Sequence, residues 1–384
     1  MRSTFEPLGK FIHEVDVRNA DLSVTKLMGV NLSKQMMPSV ANIVGTDLTA
    51  YKVVNKGQFV CKLMSVGRDA CLPIALKHDD EPVIISSAYY AFEVNDENEM
   101  MSEYLMMCFL RPDFDRELWF RTGGDVRGGV TWDTFCEIPI PYIPNSEQHK
   151  IVHDYQVITD RIELLRKMNE RLVDVVKTIY AKMFKGNDYP IATIADVCSK
   201  IGSGATPRGG KESYCNEGVS LIRSTNVYDY FFSYDELAHI DDSQADALSN
   251  VIVKPYDVLF NITGVSIARC CMVPDDVLPA RVNQHVMILR PRAGKHMSYY
   301  LLMTLCDKSS KNLFFGIGQS GSTREAINKQ EMEAFNVPLP TEREIFEFGQ
   351  KADICFSQIK TNTYEIKLLK SAQELLLTNI LKGA

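Results

Sequence analysis

Residues 138–165 read IPIPYIPNSEQHKIVHDYQVITDRIELL, and this stretch decides how the chain is organised. Pro139, Pro141 and Pro144 stand close together, and proline cannot continue a helix because it lacks the backbone N–H. After Pro144 the apolar residues recur at alternating spacings of four and three, which is the pattern of one long helical face. The sequence therefore predicts a domain boundary at the prolines and a long helix directly after them.

The same plan occurs a second time, at an offset of roughly 200 residues. Ile138-Pro139-Ile140-Pro141 corresponds to Val337-Pro338-Leu339-Pro340, and Phe184-Lys185-Gly186 corresponds to Leu381-Lys382-Gly383. Residues 57–61 and 101–105 also have counterparts, at 256–260 and 297–301. Four matches in the same order indicate that the chain contains two copies of one module. The glycine after each long helix suits a left-handed helix cap.

The two long helical stretches carry an apolar repeat of seven residues, which indicates a coiled coil. Each spans about 34 residues and would form a rod of roughly 50 Å. If the two halves are equivalent, the second helix runs back towards the first domain and the pair is antiparallel. The alternative is that each helix packs only on its own domain. Polar Asn169, Asn362 and Gln373 interrupt the seam and are expected to fix its register. The residues predicted to pair the helices are Ile158, Ile162, Leu165, Leu172 and Ile179 with Ile359, Ile366, Leu369 and Leu376.

The predicted fold class is mixed α/β, with two pseudo-repeated globular domains separated by a long antiparallel two-helix coiled coil. The predicted boundaries are residues 1–144 for the first domain, 145–188 for the first spacer helix, 189–340 for the second domain and 341–384 for the second spacer helix.

Composition limits the classes of protein that the chain can belong to. It has 384 residues, of which 45% are hydrophobic and 24% are charged, as in a folded globular protein. No apolar run is long enough to span a membrane. The ten cysteines are scattered without a CxxC spacing, so we expect free thiols in a cytoplasmic protein. The net charge of −7 is unfavourable for binding nucleic acid alone, and a DNA-binding function would need a basic partner.

The repeated Pro-x-Pro segment and long helix resemble the specificity subunits of type I restriction-modification systems. Ser146-Glu147-Gln148 after the first prolyl segment is similar to the entry into a helical region of that family. The second copy has Thr341-Glu342-Arg343 at the corresponding place and departs from this pattern. Residues 201–208, IGSGATPR, are similar to the loop that opens many target-recognition domains of the family. The first domain lacks this loop, so its assignment as a target-recognition domain rests on the repeat.

The resemblance implies a non-catalytic subunit that recognises double-stranded DNA as a bipartite sequence, each domain reading one half. It implies two methyltransferase subunits as partners and allows two restriction or translocase subunits. Adenine methylation from S-adenosylmethionine, and ATP- and Mg-dependent cleavage, would take place on those partners. No cofactor and no metal is expected on this chain.

Base reading requires hydrogen-bonding side chains on loops, and phosphate contacts require cations, hydroxyls or backbone amides. Side chains that meet these requirements occur in both domains and are the candidate DNA contacts. In the first domain they are Lys62, Arg68, Ser87, Tyr89, Arg121 and Arg127. In the second domain they are Thr206, Arg208, Lys211, Arg223, Ser224, Asn226, Asn283, Gln284, Ser320, Thr323 and Arg324.

Two other functions are compatible with parts of the sequence. One is a non-enzymatic scaffold whose paired domains bind protein; it differs from a DNA reader because removing Arg208, Lys211 and Arg324 would not change salt-sensitive DNA affinity. The other is a nucleotide-dependent enzyme that uses Gly316-Ile317-Gly318-Gln319-Ser320-Gly321. That run matches a dinucleotide fingerprint in its letters but stands late in its domain, without the strand, turn and helix around it. We therefore expect a glycine-rich turn there.

Overall fold

The computed structural model describes residues 4–39, 45–123, 129–319 and 326–380. The chain folds as two compact units. Unit 1 comprises Met1–Ile162 and Leu368–Ala384, and unit 2 comprises Glu163–Lys367. Both units contain short strands and helices, so the predicted mixed α/β class is confirmed.

Unit 1 consists of short strands, four short helices and one part of each long helix, within its described ranges. The strands are β1 (Thr4–Pro7), β2 (Ile12–Val15), β3 (Met28–Val30), β4 (Met36–Pro38), β5 (Lys52–Val54), β6 (Phe59–Cys61), β7 (Ile74–Leu76), β8 (Val83–Ile85), β9 (Tyr90–Val94) and β10 (Pro139–Tyr142). The helices are α1 (Val66–Asp69), α2 (Ser102–Leu110), α3 (Pro112–Phe120), α4 (Trp132–Cys136) and the long α5 (Asn145–Phe184), which continues into unit 2. The core packs the central sheet against α2 and α4 through the buried rings of Phe59, Phe92, Phe109 and Phe135.

Unit 2 repeats this composition. Its described strands are β11 (Ile191–Thr193), β12 (Cys198–Ser203), β13 (Val219–Ile222), β14 (Ala238–Ile240), β15 (Val258–Asn261), β16 (Cys270–Met272), β17 (Ala280–Val282), β18 (Val286–Pro291) and β19 (Asn336–Pro338). Its helices are α6 (Ile194–Val197), α7 (Asp242–Ala247), α8 (Gly294–Cys306), α9 (Lys308–Gln319), α10 (Lys329–Glu333) and the long α11 (Glu342–Asn379), which continues into unit 1.

The sheets show the duplication that the sequence predicts. The four-stranded sheet of unit 1 has the order β2-β9-β6-β7, and that of unit 2 has the order β12-β18-β15-β16, with every pair antiparallel in both. In each unit the first strand pairs antiparallel with the prolyl strand before the long helix, as β1 with β10 and as β11 with β19. Pro139, Pro141 and Pro338 therefore lie in these paired strands and not in a linker. Unit 2 adds the sheet β14-β13-β17, in which β13 and β17 are parallel.

The turn before the central strand is equivalent in the two copies down to its hydrogen bonds. Gly57 has φ +83° and Tyr256 has φ +67°, so both occupy the left-handed region. The next residue accepts a backbone N–H in each copy: Gln58 Oε1 from Asn55 at 2.8 Å, and Asp257 Oδ2 from Lys254 at 2.7 Å. The same side chain then reaches the neighbouring strand, because Gln58 donates to Glu93 and Asp257 accepts two bonds from Arg290. The copies thus keep the geometry with different side chains, a neutral amide donating to a carboxylate in unit 1 and a carboxylate accepting from a guanidinium in unit 2.

The long helices run antiparallel within each unit. In unit 2, Phe348 near the start of α11 packs on Tyr180 and Phe184 near the end of α5. Further along, Asn362 Nδ2 donates to Asn169 Oδ1 at 2.8 Å. In unit 1, Gln373 Nε2 donates to Thr159 Oγ1 at 2.7 Å. The three polar residues predicted to set the register therefore all bond across the helix pair.

Burial along the two helices follows the predicted seam closely. The seam residues Ile162, Leu165 and Ile359 are buried, and Ile158, Leu172, Ile179, Ile366, Leu369 and Leu376 are half-buried. Val173 and Leu377, which the pattern omitted from the pairing set, are buried as well. The first helix ends at Phe184, ahead of the predicted 188, and Gly186 takes φ +85° as expected for a left-handed cap. Gly383 lies outside the described residues.

Candidate nucleic-acid interface

In unit 2 four loops meet at one end of the sheets, and we call them the loop cluster: residues 204–211, 222–226, 261–263 and 283–285. Backbone bonds join them, from Asn283 N to the Ile222 carbonyl and from Ile262 N to the His285 carbonyl, both 3.0 Å. Asn261 Nδ2 adds a bond to the Ser224 carbonyl at 2.9 Å. The loop cluster gathers the described candidates of the second domain: Thr206, Arg208, Lys211, Arg223, Ser224, Asn226, Asn283 and Gln284.

Gly204 determines the path of the loop at residues 204–211. Its N–H donates to the Asn283 carbonyl at 3.0 Å, and a Cβ on this residue would lie 1.7 Å from the Val282 carbonyl oxygen. A side chain cannot fit there because the two backbones are in direct contact. The Gly-x-Thr-Pro motif thus begins with a glycine that lets the loop lie against the strand end.

Beyond Gly204 the loop presents its cations outward. Gln244 holds the backbone of Arg208 through two hydrogen bonds, of 3.2 Å to the amide and 3.1 Å to the carbonyl. The side chains of Thr206, Arg208 and Lys211 are exposed. Within the described part of the chain neither cation forms an ion pair. Their charges are available to a phosphate backbone.

Arg223 and Asn226 belong to the same turn but differ in accessibility. The Arg223 guanidinium lies over the Tyr214 ring, 5.6 Å from its centroid, and donates to the Glu236 carbonyl. Asn226 is 0% exposed, and its side chain bonds the Ser233 and Asp235 carbonyls and the Arg223 N–H. Asn226 therefore shapes the turn, whereas the Arg223 side chain keeps 16% of its surface exposed and lies beside the Glu236 carboxylate.

Sequence reasoning missed several residues of this surface. Thr263 Oγ1 lies 2.7 Å from His285 Nδ1. The Arg269 guanidinium stacks on the Tyr228 ring at 4.8 Å, and Tyr228 is 44% exposed. Val265, at the tip of the turn after Thr263, is fully exposed. The Asn261-Ile262-Thr263-Gly264 turn after an apolar strand was the signal that could have identified Thr263.

Three further candidates of the second domain, Ser320, Thr323 and Arg324, lie outside the described residues, and their role remains a prediction. The described residue that follows them, Ala326, forms a bridge with Thr263, and Ile327 N donates to the Ile262 carbonyl at 2.9 Å. Ala326 and Ile327 therefore lie next to the loop cluster.

In unit 1 the structure brings together two of the predicted contacts. The Lys62 ammonium lies 5.4 Å from the centroid of the Tyr89 ring, and Ser87 is exposed nearby in sequence. Arg68 is paired with Asp69 at 2.7 and 2.8 Å, and Arg121 with Glu117 at 2.9 and 3.0 Å. The hydrogen bond from Arg68 holds the pKa of the Asp69 carboxyl below its usual value.

The sixth candidate of the first domain, Arg127, lies outside the described residues. Of the other five, Arg68 and Arg121 form ion pairs with neighbouring carboxylates. Lys62 forms no ion pair with the described residues and lies over the Tyr89 ring, and Ser87 is an uncharged exposed side chain.

The glycine run at residues 316–321 does not form the expected turn at its start. Gly316 and Gly318 lie in helix α9, so that expectation was wrong. A Cβ at Gly318 would lie 2.7 Å from Ile267 Cδ1, which indicates that the glycine lets the helix pack closely against the turn at residues 264–266. A helix C-terminal segment also lacks the strand-to-helix turn that a dinucleotide fingerprint requires.

The cysteine thiols and the side chains that could bind a metal ion are a separate set of chemically active groups. All ten cysteines are free, and burial raises the pKa of the Cys108 and Cys198 thiols to about 12. These two thiols are therefore protonated at neutral pH. Over the described ranges, no group of three His, Cys, Asp or Glu side chains is placed to hold a metal ion. Over the same ranges, none of the helices is both long enough and apolar enough to cross a membrane.

Comparison with known proteins gives one family. Residues 187–371 match the family described as the type I restriction modification DNA specificity domain. A putative type I restriction enzyme MjaX specificity subunit from Methanocaldococcus jannaschii is 21% identical over 189 residues. That match covers 49% of this chain and 44% of the relative, so the similar region is less than half of the relative's length.

Two solved structures are similar over almost the whole chain. The S subunit of a type I restriction-modification system from M. genitalium has a TM-score of 0.55 at 12% identity, covering 99% of this chain and 96% of that one. The HsdS subunit from Thermoanaerobacter tengcongensis covers the same shares at 18% identity with a TM-score of 0.34. The M. genitalium subunit shows that the fold is shared. Residues 187–371 thus match the type I restriction modification DNA specificity domain, and the resemblance of the chain to the specificity subunits of these systems is confirmed.

Proposed function

We propose that the chain is the non-catalytic DNA-recognition subunit of a type I restriction-modification complex, and that it reads a bipartite target. The observation that carries the proposal is the duplication. Two units with the same strand order each contain parts of both long helices, and the second includes most of a DNA specificity domain. Two copies of one reading module would recognise two short sequences.

The helices support the second part of the proposal, a fixed gap between the two half-sites. Helix α5 has 40 residues and α11 has 38, which at 1.5 Å per residue gives rods of roughly 60 Å. Two reading modules in successive major-groove segments are about 34–36 Å apart. A paired helical spacer of this length could hold that distance, and the bases between the half-sites would not be read.

The proposed partners come from the resemblance to specificity subunits, and the net charge of the chain agrees with them. A net charge of −7 is poorly suited to independent DNA binding, since nonspecific affinity depends on phosphate neutralisation by cations. We propose two methyltransferase subunits as basic partners, with two restriction or translocase subunits as possible additions to the same scaffold. S-adenosylmethionine, ATP and Mg would bind to those subunits, and the complex would act in the cytoplasm.

The proposal is tested by coexpressing the full chain with its cognate methyltransferase and mapping modified adenines across the host DNA. We expect two short motifs at a constant separation, absent when the chain is omitted. Arg223→Ala in unit 2 should alter one motif, and Tyr89→Ala in unit 1 should alter the other. Lys167→Ala, on the exposed face of α5, is the matched control and should alter neither.

A methyltransferase that modifies the same sites with and without the chain would contradict DNA recognition. If the chain joins the methyltransferase and both variants leave the modified motifs unchanged, the protein-scaffold alternative is favoured instead.

A further inference from the structure

Buried polar atoms without a hydrogen-bond partner are concentrated in the loop cluster of unit 2. Among the residues that the structure describes there are four such side-chain atoms, and three of them are Arg223 Nε, Asn261 Oδ1 and Gln284 Oε1. Buried polar groups are nearly always paired in folded proteins, because an unpaired one loses its hydration without compensation. Their concentration at one place indicates that something outside the chain completes the hydrogen bonding there.

Gln284 is the member of this group whose orientation is fixed by its neighbours. Its Nε2 lies 3.0 Å from His285 Nε2, and His285 Nδ1 lies 2.7 Å from Thr263 Oγ1. An amide nitrogen can only donate, so His285 Nε2 accepts. In this arrangement His285 Nδ1 donates to the Thr263 hydroxyl.

The imidazole itself is held from the backbone side. Asn283 Oδ1 accepts the His285 N–H at 3.0 Å, and the His285 carbonyl accepts from Ile262 N. Thr263 is held in turn by its bridge to Ala326. Thr263 and Asn283 therefore hold the imidazole that the Gln284 amide contacts.

This arrangement leaves Gln284 with one unused acceptor and one unused donor. The acceptor is Oε1, and the donor is the second N–H of Nε2, because only one of the two bonds to His285. A side-by-side acceptor and donor complement the major-groove edge of adenine, whose N6 amino group donates and whose N7 accepts. Guanine offers two acceptors at the same positions, and cytosine offers a lone amino donor.

We infer that Gln284 reads one adenine of the half-site recognised by unit 2, and that Thr263 and His285 are positioning residues that fix its amide. The inference rests on the proposed function and specifies the base that this loop recognises. The Oε1 atom is covered in the free protein, so reading the base requires the atoms that cover it to move aside while His285 keeps hold of the Gln284 amide. The hydrogen bond gained there replaces the one that Oε1 lacks in the free protein.

The test uses the complex of the full chain with its methyltransferase and a duplex that carries the modification motif of the wild-type complex. Each position of the unit 2 half-site is replaced in turn, and binding is measured for wild type, Gln284→Ala and Thr263→Val. We expect wild type to discriminate about 5- to 150-fold at one A·T pair, as one bidentate contact would. Gln284→Ala should lose that discrimination and keep it at the other positions.

Thr263→Val keeps the size of the side chain and removes the acceptor of the His285 proton. Thr263→Val should weaken discrimination at the same A·T pair, by a smaller factor than Gln284→Ala. A general loss of stability would not act at one position alone. Gln330→Ala, an exposed glutamine on α10, is the matched control and should discriminate like wild type.

The outcomes separate this inference from the function on which it rests. A wild-type complex without a bipartite motif overturns the proposed function. A bipartite motif whose discrimination is unchanged in Gln284→Ala, or relaxed only at a G·C pair, overturns the adenine contact alone. Loss at every position in Gln284→Ala, combined with position-specific loss in Thr263→Val, supports the contact and assigns Gln284 an additional part in holding the loop.

Discussion

At the scale of single residues, Gly204 is the position with the least tolerance for a side chain. Its missing Cβ makes room for the Val282 carbonyl oxygen, which would lie 1.7 Å away. We predict that Gly204→Ala lowers the stability of the full chain by about 1–3 kcal/mol or more, because the strand end must move or the Asn283 hydrogen bond must break. The midpoint of urea unfolding measures the change.

Gly202→Ala is the control for this prediction. Gly202 lies two residues earlier in β12, and a Cβ there would meet only the flexible Lys200 side chain, at 3.7 Å. Gly202→Ala should leave the midpoint of urea unfolding near that of wild type. Equal effects of the two substitutions would show that the loop does not depend on the close approach at Gly204.

The residue scale is also where the sequence was least informative. The letters of the Gly-x-Thr-Pro loop and of Arg223–Asn226 indicated polar loops, and both loops exist. They did not indicate that Asn226 would be fully buried or that Thr263 would hold His285. Burial and side-chain pairing depend on segments far apart in the chain, such as residues 222 and 283, which periodicity does not relate. The contacts proposed for single residues therefore remain predictions.

At the scale of elements, the long helices are braced by one buried polar pair. Asn169 is 4% exposed and Asn362 is 2% exposed, and they bond at 2.8 Å. We predict that Asn362→Leu destabilises the chain by about 1–3 kcal/mol, because it leaves the Asn169 amide buried without this partner. The combined substitution Asn169→Leu with Asn362→Leu should recover most of this loss, since two apolar side chains need no hydrogen bond.

Urea unfolding of the two variants measures this difference, and Thr361→Leu on the exposed face of α11 serves as the control. The control should remain within about 0.5 kcal/mol of wild type. A double variant that is less stable than the single variant would show that the Asn pair contributes through something other than its hydrogen bond.

The helices could be predicted from the sequence because a seven-residue repeat is a local signal, continued over many turns. The pairing of strands into sheets could not be predicted in this way. Their strands are three to six residues long, and β2 pairs with β9 while β12 pairs with β18. Such pairs join residues far apart in the chain, and runs this short do not establish a period. The duplication was visible because four short segments, among them the prolyl segment and the end of the long helix, recur in the same order.

At the scale of the whole molecule, binding to DNA has to overcome the chain's net negative charge. Arg208 and Lys211 are exposed cations at the loop cluster, and each could neutralise one phosphate. We predict that Arg208→Ala with Lys211→Ala reduces the slope of log affinity against log salt concentration by about 2, at nearly 1 for each phosphate contact. The measurement is made on the complex with its methyltransferase at several salt concentrations.

Lys167→Ala with Arg343→Ala removes the same charge from the helices, where these side chains pair with Glu163 and Glu347. This control should leave the slope unchanged. If both double variants changed the slope equally, the effect would come from net charge, and the loop cluster would have no special role in DNA binding.

Unit 1 is built from two stretches that are far apart in the chain, and this affects the order in which the two units can fold during synthesis. Leu377 and Ile380 belong to the core of unit 1, yet they follow all of Glu163–Lys367 in the chain. A ribosome therefore releases every residue of unit 2 before it completes unit 1. We expect the second half to mature first, and the first half to need protection by chaperones until synthesis reaches its last helical turns.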